Sequence, residues 1–181
     1  MAGSAASERH GGGTGDGGVP DPIAGYAAAD ERPPLLSYGA LAVLFNALFA
    51  AALLLIRRSG RELPERIDER DVVLLGTATH KLARLIAKEK VTAVLRSPFT
   101  ELQGKGGPAE FEERARGTGV RRAIGELLVC PWCVGLWIAA ALSIGLVVAP
   151  RLTRFVAAVF TALTISDFLQ LAYKAVEKRG L

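Results

Sequence analysis

The stretch GELLVCPWCVGLWIAAALSIGLVVAP, Gly125 to Pro150, decides the fold. It carries both cysteines of the chain, Cys130 and Cys133, and both tryptophans, Trp132 and Trp137. A C-x-x-C pair ordinarily points to redox chemistry or to half of a zinc site. Here it opens an apolar run long enough to cross a bilayer. Pro131 suits the first position of a helix, where its missing N–H costs nothing. Cys130 then falls at or near the N-cap, where free amides and the helix dipole favour a thiolate. Pro131 to Ala149 is 19 residues, and both tryptophans fall in its first two turns, where an aromatic belt belongs. One stretch thus satisfies the rules for a membrane-helix entry and for an activated thiol.

The rest of the chain agrees with a membrane location. Half of its 181 residues are apolar while 22% are charged, and the mean hydropathy is +0.29. Apolar residues must therefore be segregated into blocks, as membrane segments require. The net charge of +4 fits loops that face anionic lipid. No basic stretch interleaved with aromatics points to nucleic acid, and none is expected as a partner. Two cysteines three apart cannot staple a small secreted fold. The start, MAGSAASERHGGGTGDGGVPDP, lacks the basic and apolar regions of a signal peptide. Residues 1–34 are too poor in large apolar side chains to offset ordering entropy and are predicted to be a disordered Gly/Ala-rich tail, His10 included.

SYGALAVLFNALFAAALLLI, Ser37 to Ile56, is 20 residues without a charge and is closed by RRSGR. It is predicted to be a transmembrane helix within a 35–58 segment. Asn46 lies near its middle, and an amide in hydrocarbon is expected to face another helix. Between Arg70 and Arg96, Val72, Leu75, Thr79, Leu82 and Ile86 recur at helical spacing, with Lys81, Arg84 and Lys88 on another face. This predicts an amphipathic helix over 70–88. Lying in the interface is the preferred reading, since Lys81 and Arg84 would sit deep in a spanning helix. SPFTELQGKGGPAEFEERARGTG reads as a polar loop in which FEERAR forms a short helical turn. Two further spans follow, 127–149 and 152–173, joined by a short turn at Pro150 and Arg151, with a basic tail over 174–181. The fold class is all-α: a polytopic membrane protein with three transmembrane helices and an amphipathic helix as a candidate fourth. The domain plan is a 1–34 tail, a 35–58 helix, a 59–125 basic segment, a 126–173 helical hairpin and the 174–181 tail.

Orientation follows from Lys and Arg outside the spans. The N-terminal tail has two, the segment Arg57–Arg122 fifteen, the hairpin turn two, Arg151 and Arg154, and the C-terminal end three. The middle segment is therefore expected in the cytoplasm, the tail outside and the C-terminus inside. If the amphipathic helix also spans, the N-terminus moves inside and the tract Arg57–Arg70 moves out. The loop Lys88–Arg122, with eight positive charges, stays cytoplasmic on both counts, and so does the mouth that holds Cys130 and Cys133. Cytosolic thiols are kept reduced, so a permanent structural disulfide is not expected there.

Asp167 is costly inside an apolar helix and is expected to pair with Arg84 or another cation. Cys130, Cys133, Asp167, His80 and Arg84 are all placed near one membrane face and could converge. Cys130, Cys133, His80 and Asp167 form the candidate zinc-ligand set, since two cysteines alone fall short of four ligands. No other cofactor is indicated. Gly135, Ala139 and Ser143 repeat every four residues, a small-residue face suited to close helix packing within the chain or to a homo-oligomer. No internal repeat, phosphate-binding loop, dinucleotide glycine pattern or H-E-x-x-H is found.

ATHKLARLIAKEKVTAVLRSPFTE, Ala78–Glu101, followed by GTGVRRAIGELLVCPWCVGLWIAA, Gly117–Ala140, resembles a family of small bacterial membrane proteins of unknown function. Its members similarly carry a T/F-x-R/K-L-x-R-L-I helix, an L-R-x-P-F-T turn and a G-E-L-L-x-C-x-W/F-C-x-G-x-W block. The resemblance covers about Asp71 to Tyr173, so the tail and first membrane helix read as additions. It implies a membrane location and no established activity, and it carries over Cys130, Cys133, Gly135 and Trp137 as motif positions only. It loosely suggests a developmental role in spore-forming bacilli and actinomycetes. The Ala, Gly and Arg bias fits an actinomycete. The leading functional reading is an integral membrane protein with a structural or interaction role rather than an enzyme, in contact with lipid and with an unidentified membrane or cytoplasmic protein. The alternatives are a membrane thiol oxidoreductase, with Cys130 as nucleophile and Cys133 as resolving thiol, and a metal-binding protein.

Overall fold

In the computed structural model the described residues are 33–180. The predicted tail, apart from its last two prolines, and His10 lie outside the described residues. Six α-helices, a single 3-10 turn at Lys90–Thr92 and one β-hairpin follow in order. Helix α1 is Leu35–Arg58 and α2 is Glu69–Ala87. A short α3, Ala93–Arg96, leads into strands β1, Thr100–Lys105, and β2, Phe111–Ala115. Helices α4, Gly119–Val129, α5, Pro131–Val148, and α6, Pro150–Glu177, complete the chain.

Helices α1, α5 and α6 are long and apolar enough to cross a membrane. α1 forms because its uncharged run is rich in Ala and Leu and contains no proline, and Arg57 and Arg58 sit in the last turn, where cations suit the helix dipole. α2 is started by Asp68, whose carboxylate accepts the Arg70 N–H at 2.9 Å, with Glu69 and Asp71 in the first turn. It buries Leu75, Ala78, Ala83 and Ala87. Three alanines on the buried face let neighbouring backbones come close.

The position of α2 sets the architecture. It packs against both α5 and α6. Asp71 meets Arg154, the Leu74 carbonyl accepts from Thr161, and Lys81 meets Asp167, so residues advancing along α2 contact residues advancing along α6. The two helices run parallel. Leu75 and Ala78 of α2, Leu142 and Leu146 of α5, and Ala157 and Phe160 of α6 form the core between them. α1 runs parallel to α5: Phe45 packs edge-on against Trp137 at 5.1 Å, and Arg61, just past the end of α1, donates to the carbonyl of Val148 at the end of α5.

Two joints are one residue long. Cys130 separates α4 from α5, so the predicted 127–149 span is corrected to Pro131–Val148, with 127–129 in α4. Proline at N1 starts α5 afresh after Cys130, whose backbone is extended. Ala149 alone separates α5 from α6, again with proline at N1. The crossing there is close, and a Cβ on Gly145 would stand 2.8 Å from Thr153 Oγ1.

The expectation of an all-α chain is also corrected. The predicted polar loop contains an antiparallel hairpin, with Thr100 opposite Ala115 and Lys105 opposite Phe111, and a bulge between Leu102 and Gly104. FEERA is a strand, not a helical turn, and its residues alternate between half-buried and exposed. Gly106, Gly107 and Pro108 lie in the turn of the hairpin, where Ala109 takes a positive φ of 62°.

Candidate functional site

The hairpin end of the helix bundle holds three arrangements of polar side chains: a buried arginine, a charged cleft and the cysteine pair.

Arg96 is the keystone. It is fully buried at 0% exposure. Its Nε donates to Glu113 of β2. Nη1 donates to the Ile86 carbonyl at 2.6 Å and to Thr92 Oγ1 at 2.8 Å, and Nη2 to the Glu89 carbonyl at 3.1 Å. The second Glu113 oxygen accepts from Thr100 Oγ1 at 3.1 Å. A buried guanidinium is tolerable only with its charge paired and its donors used, and here both hold. One side chain therefore satisfies carbonyls at the end of α2 and ties them to the hairpin. In the sequence Arg96 reads as one of the eight positive charges of the Lys88–Arg122 loop. Its position in the L-R-x-P-F-T turn, four residues before the thread into β1, was the available signal.

The charged cleft, about 490 Å³, lies between α2, the hairpin turn and the second half of α6. Lys81 bridges Glu89 and Asp167, the latter at 2.9 Å. Asp167 therefore pairs with Lys81 and not with Arg84, which pairs with Glu110. His80 stacks on Phe168 with ring centroids 6.5 Å apart. Of the five residues expected to converge, His80, Arg84 and Asp167 meet here and the cysteines do not. Among the described residues no three His, Cys, Asp or Glu side chains come together as a metal site. The ligand set Cys130, Cys133, His80 and Asp167 is thus divided between two places.

The cysteines are brought together. Cys130 and Cys133 lie side by side with Cα atoms 5.3 Å apart, within the range a disulfide needs. Cys130 Sγ accepts the Cys133 N–H at 3.2 Å, so it caps α5. Cys133 borders an apolar groove of about 570 Å³ between α1, α4 and α5, lined in part by Tyr38, Phe45, Leu136 and Trp137. Glu126 lies at its edge. Its carboxylate accepts from the Tyr38 hydroxyl and from Arg122 Nε at 2.9 Å. Burial pushes the Glu126 carboxyl above the usual carboxylate range. Neither Glu126 nor Tyr38 was singled out from the sequence.

Asn46 also lines this groove. It does not reach another helix; its Nδ2 donates to the Ala42 carbonyl of its own helix at 2.8 Å. Of the small-residue face, Gly135 packs on α2, with Ala83 Cβ and Thr79 Cγ2 each 3.9 Å from where its Cβ would be. Ala139 and Ser143 are exposed. Gly125 has the tightest surroundings: a Cβ there would stand 2.5 Å from the Phe99 carbonyl oxygen and 2.9 Å from Ala115 Cβ. That clearance lets α4 lie on the hairpin just before the cysteines.

Residues 74–173 match a family described as a protein of unknown function, DUF1360. The chain is also similar to the sporulation protein YjcA of Bacillus subtilis (strain 168), with 40% identity over 87 residues, which cover 46% of this chain and 74% of that relative. No solved structure matches. The relative comes from a Bacillus and lends no support to an actinomycete origin. This chain belongs to the DUF1360 family, and the matched region begins within α2 and includes the hairpin, the cysteine pair and most of α6.

Proposed function

We propose that the chain is a multi-pass protein of the cell membrane in which α1, α2, α5 and α6 all cross, with the hairpin and α4 as a cytoplasmic cap that serves a structural or interaction role. The lengthwise contact of α2 with α6 carries this reading. A helix bound along a spanning neighbour, and not across its end, shares that neighbour's depth. The 19 residues of α2 reach about 28 Å, close to the hydrocarbon thickness. Lys81 lies about 9 Å from the end of α2 and is paired with Asp167, which lowers the cost of its depth. Lys and Arg number eleven on the cap and C-terminal side against seven on the side of residues 57–70 and the α5–α6 joint. That imbalance supports a cytoplasmic cap with the N-terminus inside. Val91, Val94 and Leu95 point outward from the cap and offer an apolar contact to a partner. The sporulation role in the name of the Bacillus relative is carried to this chain as the setting of that partnership.

The test is single-cysteine labelling in a Cys130→Ser/Cys133→Ser background. Ser59→Cys is expected to react with a membrane-impermeant maleimide on intact cells, and Gln103→Cys only after permeabilisation. Labelling of both from one side would remove the crossing of α2.

A second reading, thiol–disulfide exchange, is favoured by the Cys130–Cys133 pairing at the start of α5, where the Cys133 amide is aimed at the Cys130 sulfur. It predicts that the reduced protein reacts with glutathione disulfide through Cys130 and closes on Cys133.

A further inference from the structure

We infer that the groove between α1, α4 and α5 binds a lipid-soluble quinone, which takes the electrons of the Cys130–Cys133 dithiol. This rests on the thiol-exchange reading. Three observations converge on that class of ligand. The groove is almost wholly apolar, and its volume of about 570 Å³ suits a ring with part of an isoprenoid tail. Phe45 and Trp137, held edge-to-face, supply aromatic faces beside the space a ring would fill. Besides the Asn46 amide, which is bonded to the Ala42 carbonyl, the polar groups at its border are a carboxyl, a phenol and a sulfur, from Glu126, Tyr38 and Cys133. A phospholipid acyl chain would fill the space but would use none of those groups. A quinone uses all three: carbonyl oxygens for the proton donors and ring carbons for the sulfur.

The balance of the reaction is complete. Cys133, which lines the groove, adds its sulfur to a ring carbon and loses its proton. Cys130, whose sulfur accepts the Cys133 N–H at the start of α5, where a helix N-terminus favours a thiolate, loses its proton and attacks the Cys133 sulfur. The S–S bond forms, the S–C bond breaks, and its electron pair leaves with the ring. Two thiols are oxidised to one disulfide, and the quinone is reduced by two electrons to the quinol. The two thiol protons end on the two quinol oxygens. Glu126, its carboxyl raised by burial, is placed to pass them. A cytosolic dithiol returns the disulfide to the reduced state.

The full chain, purified in detergent and reduced, is mixed with decylubiquinone, and quinol absorbance and free thiols are followed together. One quinol formed per two thiols lost is expected, with no quinol from Cys133→Ser. Leu136→Trp, which fills the groove, is expected to slow the quinone reaction about tenfold and to slow the glutathione disulfide reaction much less. In a Cys130→Ser/Cys133→Ser chain that also carries Trp132→Phe, the quinone is expected to quench Trp137 fluorescence saturably. Reaction with glutathione disulfide but no quinone reduction above that of free dithiothreitol would overturn the groove assignment and leave thiol exchange standing. Inert thiols with both reagents would remove both. Linear, unsaturable quenching would show that lipid or detergent occupies the groove.

Discussion

Arg154 grips Asp71 with two parallel hydrogen bonds, Nε to Oδ1 at 2.8 Å and Nη2 to Oδ2 at 2.7 Å, and so fixes the start of α2 against the start of α6. The pair is asymmetric: the Asp71 side chain is 10% exposed and that of Arg154 is 52% exposed. Removing the arginine strands a buried carboxylate, whereas removing the aspartate leaves a guanidinium that water can reach. Arg154→Leu is therefore expected to lower the melting temperature in detergent more than Asp71→Leu. Equal losses would mean that the pair is not what aligns the helices.

Arg96→Ala is expected to be the most damaging single change in the cap. It leaves the Glu113 charge buried and the Ile86 carbonyl without a donor, while the Glu89 carbonyl keeps Thr92. A loss of about 3–5 kcal/mol follows from breaking a buried pair on one side only. Arg96→Met combined with Glu113→Leu removes both charges and is expected to cost less than Arg96→Ala alone. Chemical denaturation of the three proteins checks the ranking.

Glycine substitutions separate close approach from open space. Gly125→Ala pushes a methyl group into the Phe99 carbonyl and Ala115. It is expected to cost about 1–3 kcal/mol, with the loss felt in the packing of α4 on the hairpin. Gly135→Ala meets only ordinary contact distances and is expected to be nearly neutral. Gly135→Leu is expected to separate α2 from α5 within one chain. Thermal melting of the three variants, with size-exclusion chromatography for assembly, tells these outcomes apart.

Glu126 gives the protein a stability that depends on pH. Its carboxyl is raised in the folded state, so folding favours the protonated form. The stabilisation is fully present below the ordinary carboxylate value and is lost as pH rises through the raised one. Melting temperature is therefore expected to fall over that window, and Glu126→Gln is expected to flatten the fall. An unchanged slope in the variant would show that another group is responsible.

The parts of the fold legible in the sequence are those encoded locally. The uncharged run of α1, the prolines that start α5 and α6 and the apolar period of α2 each sit within one segment, and the helices lie near where those signals fall. The hairpin was hidden because its strands are mostly polar and its pairing joins Thr100 to Ala115 across a glycine-rich turn. Lys81 argues against a deep helix when its charge is read alone, and its partner Asp167 is out of reach of a sequence reading because it lies on α6. The cysteine site was half legible. Spacing placed Cys130 at a helix start, but the groove beside it is built from α1, α4 and α5 and needs the tertiary fold to exist.

The one-residue turn at Ala149 has a consequence for biogenesis. On the four-span reading, α5 and α6 are too closely tethered to enter a bilayer one after the other as independent spans, and they insert together as a pair. α2 carries Asp71 and Lys81, and the countercharges for both, Arg154 and Asp167, reside on α6. A ribosome delivers α2 well before either partner exists. On the four-span reading, α2 waits at the membrane surface and sinks to its final depth only when the late hairpin arrives, so the last helix made licenses the burial of the second.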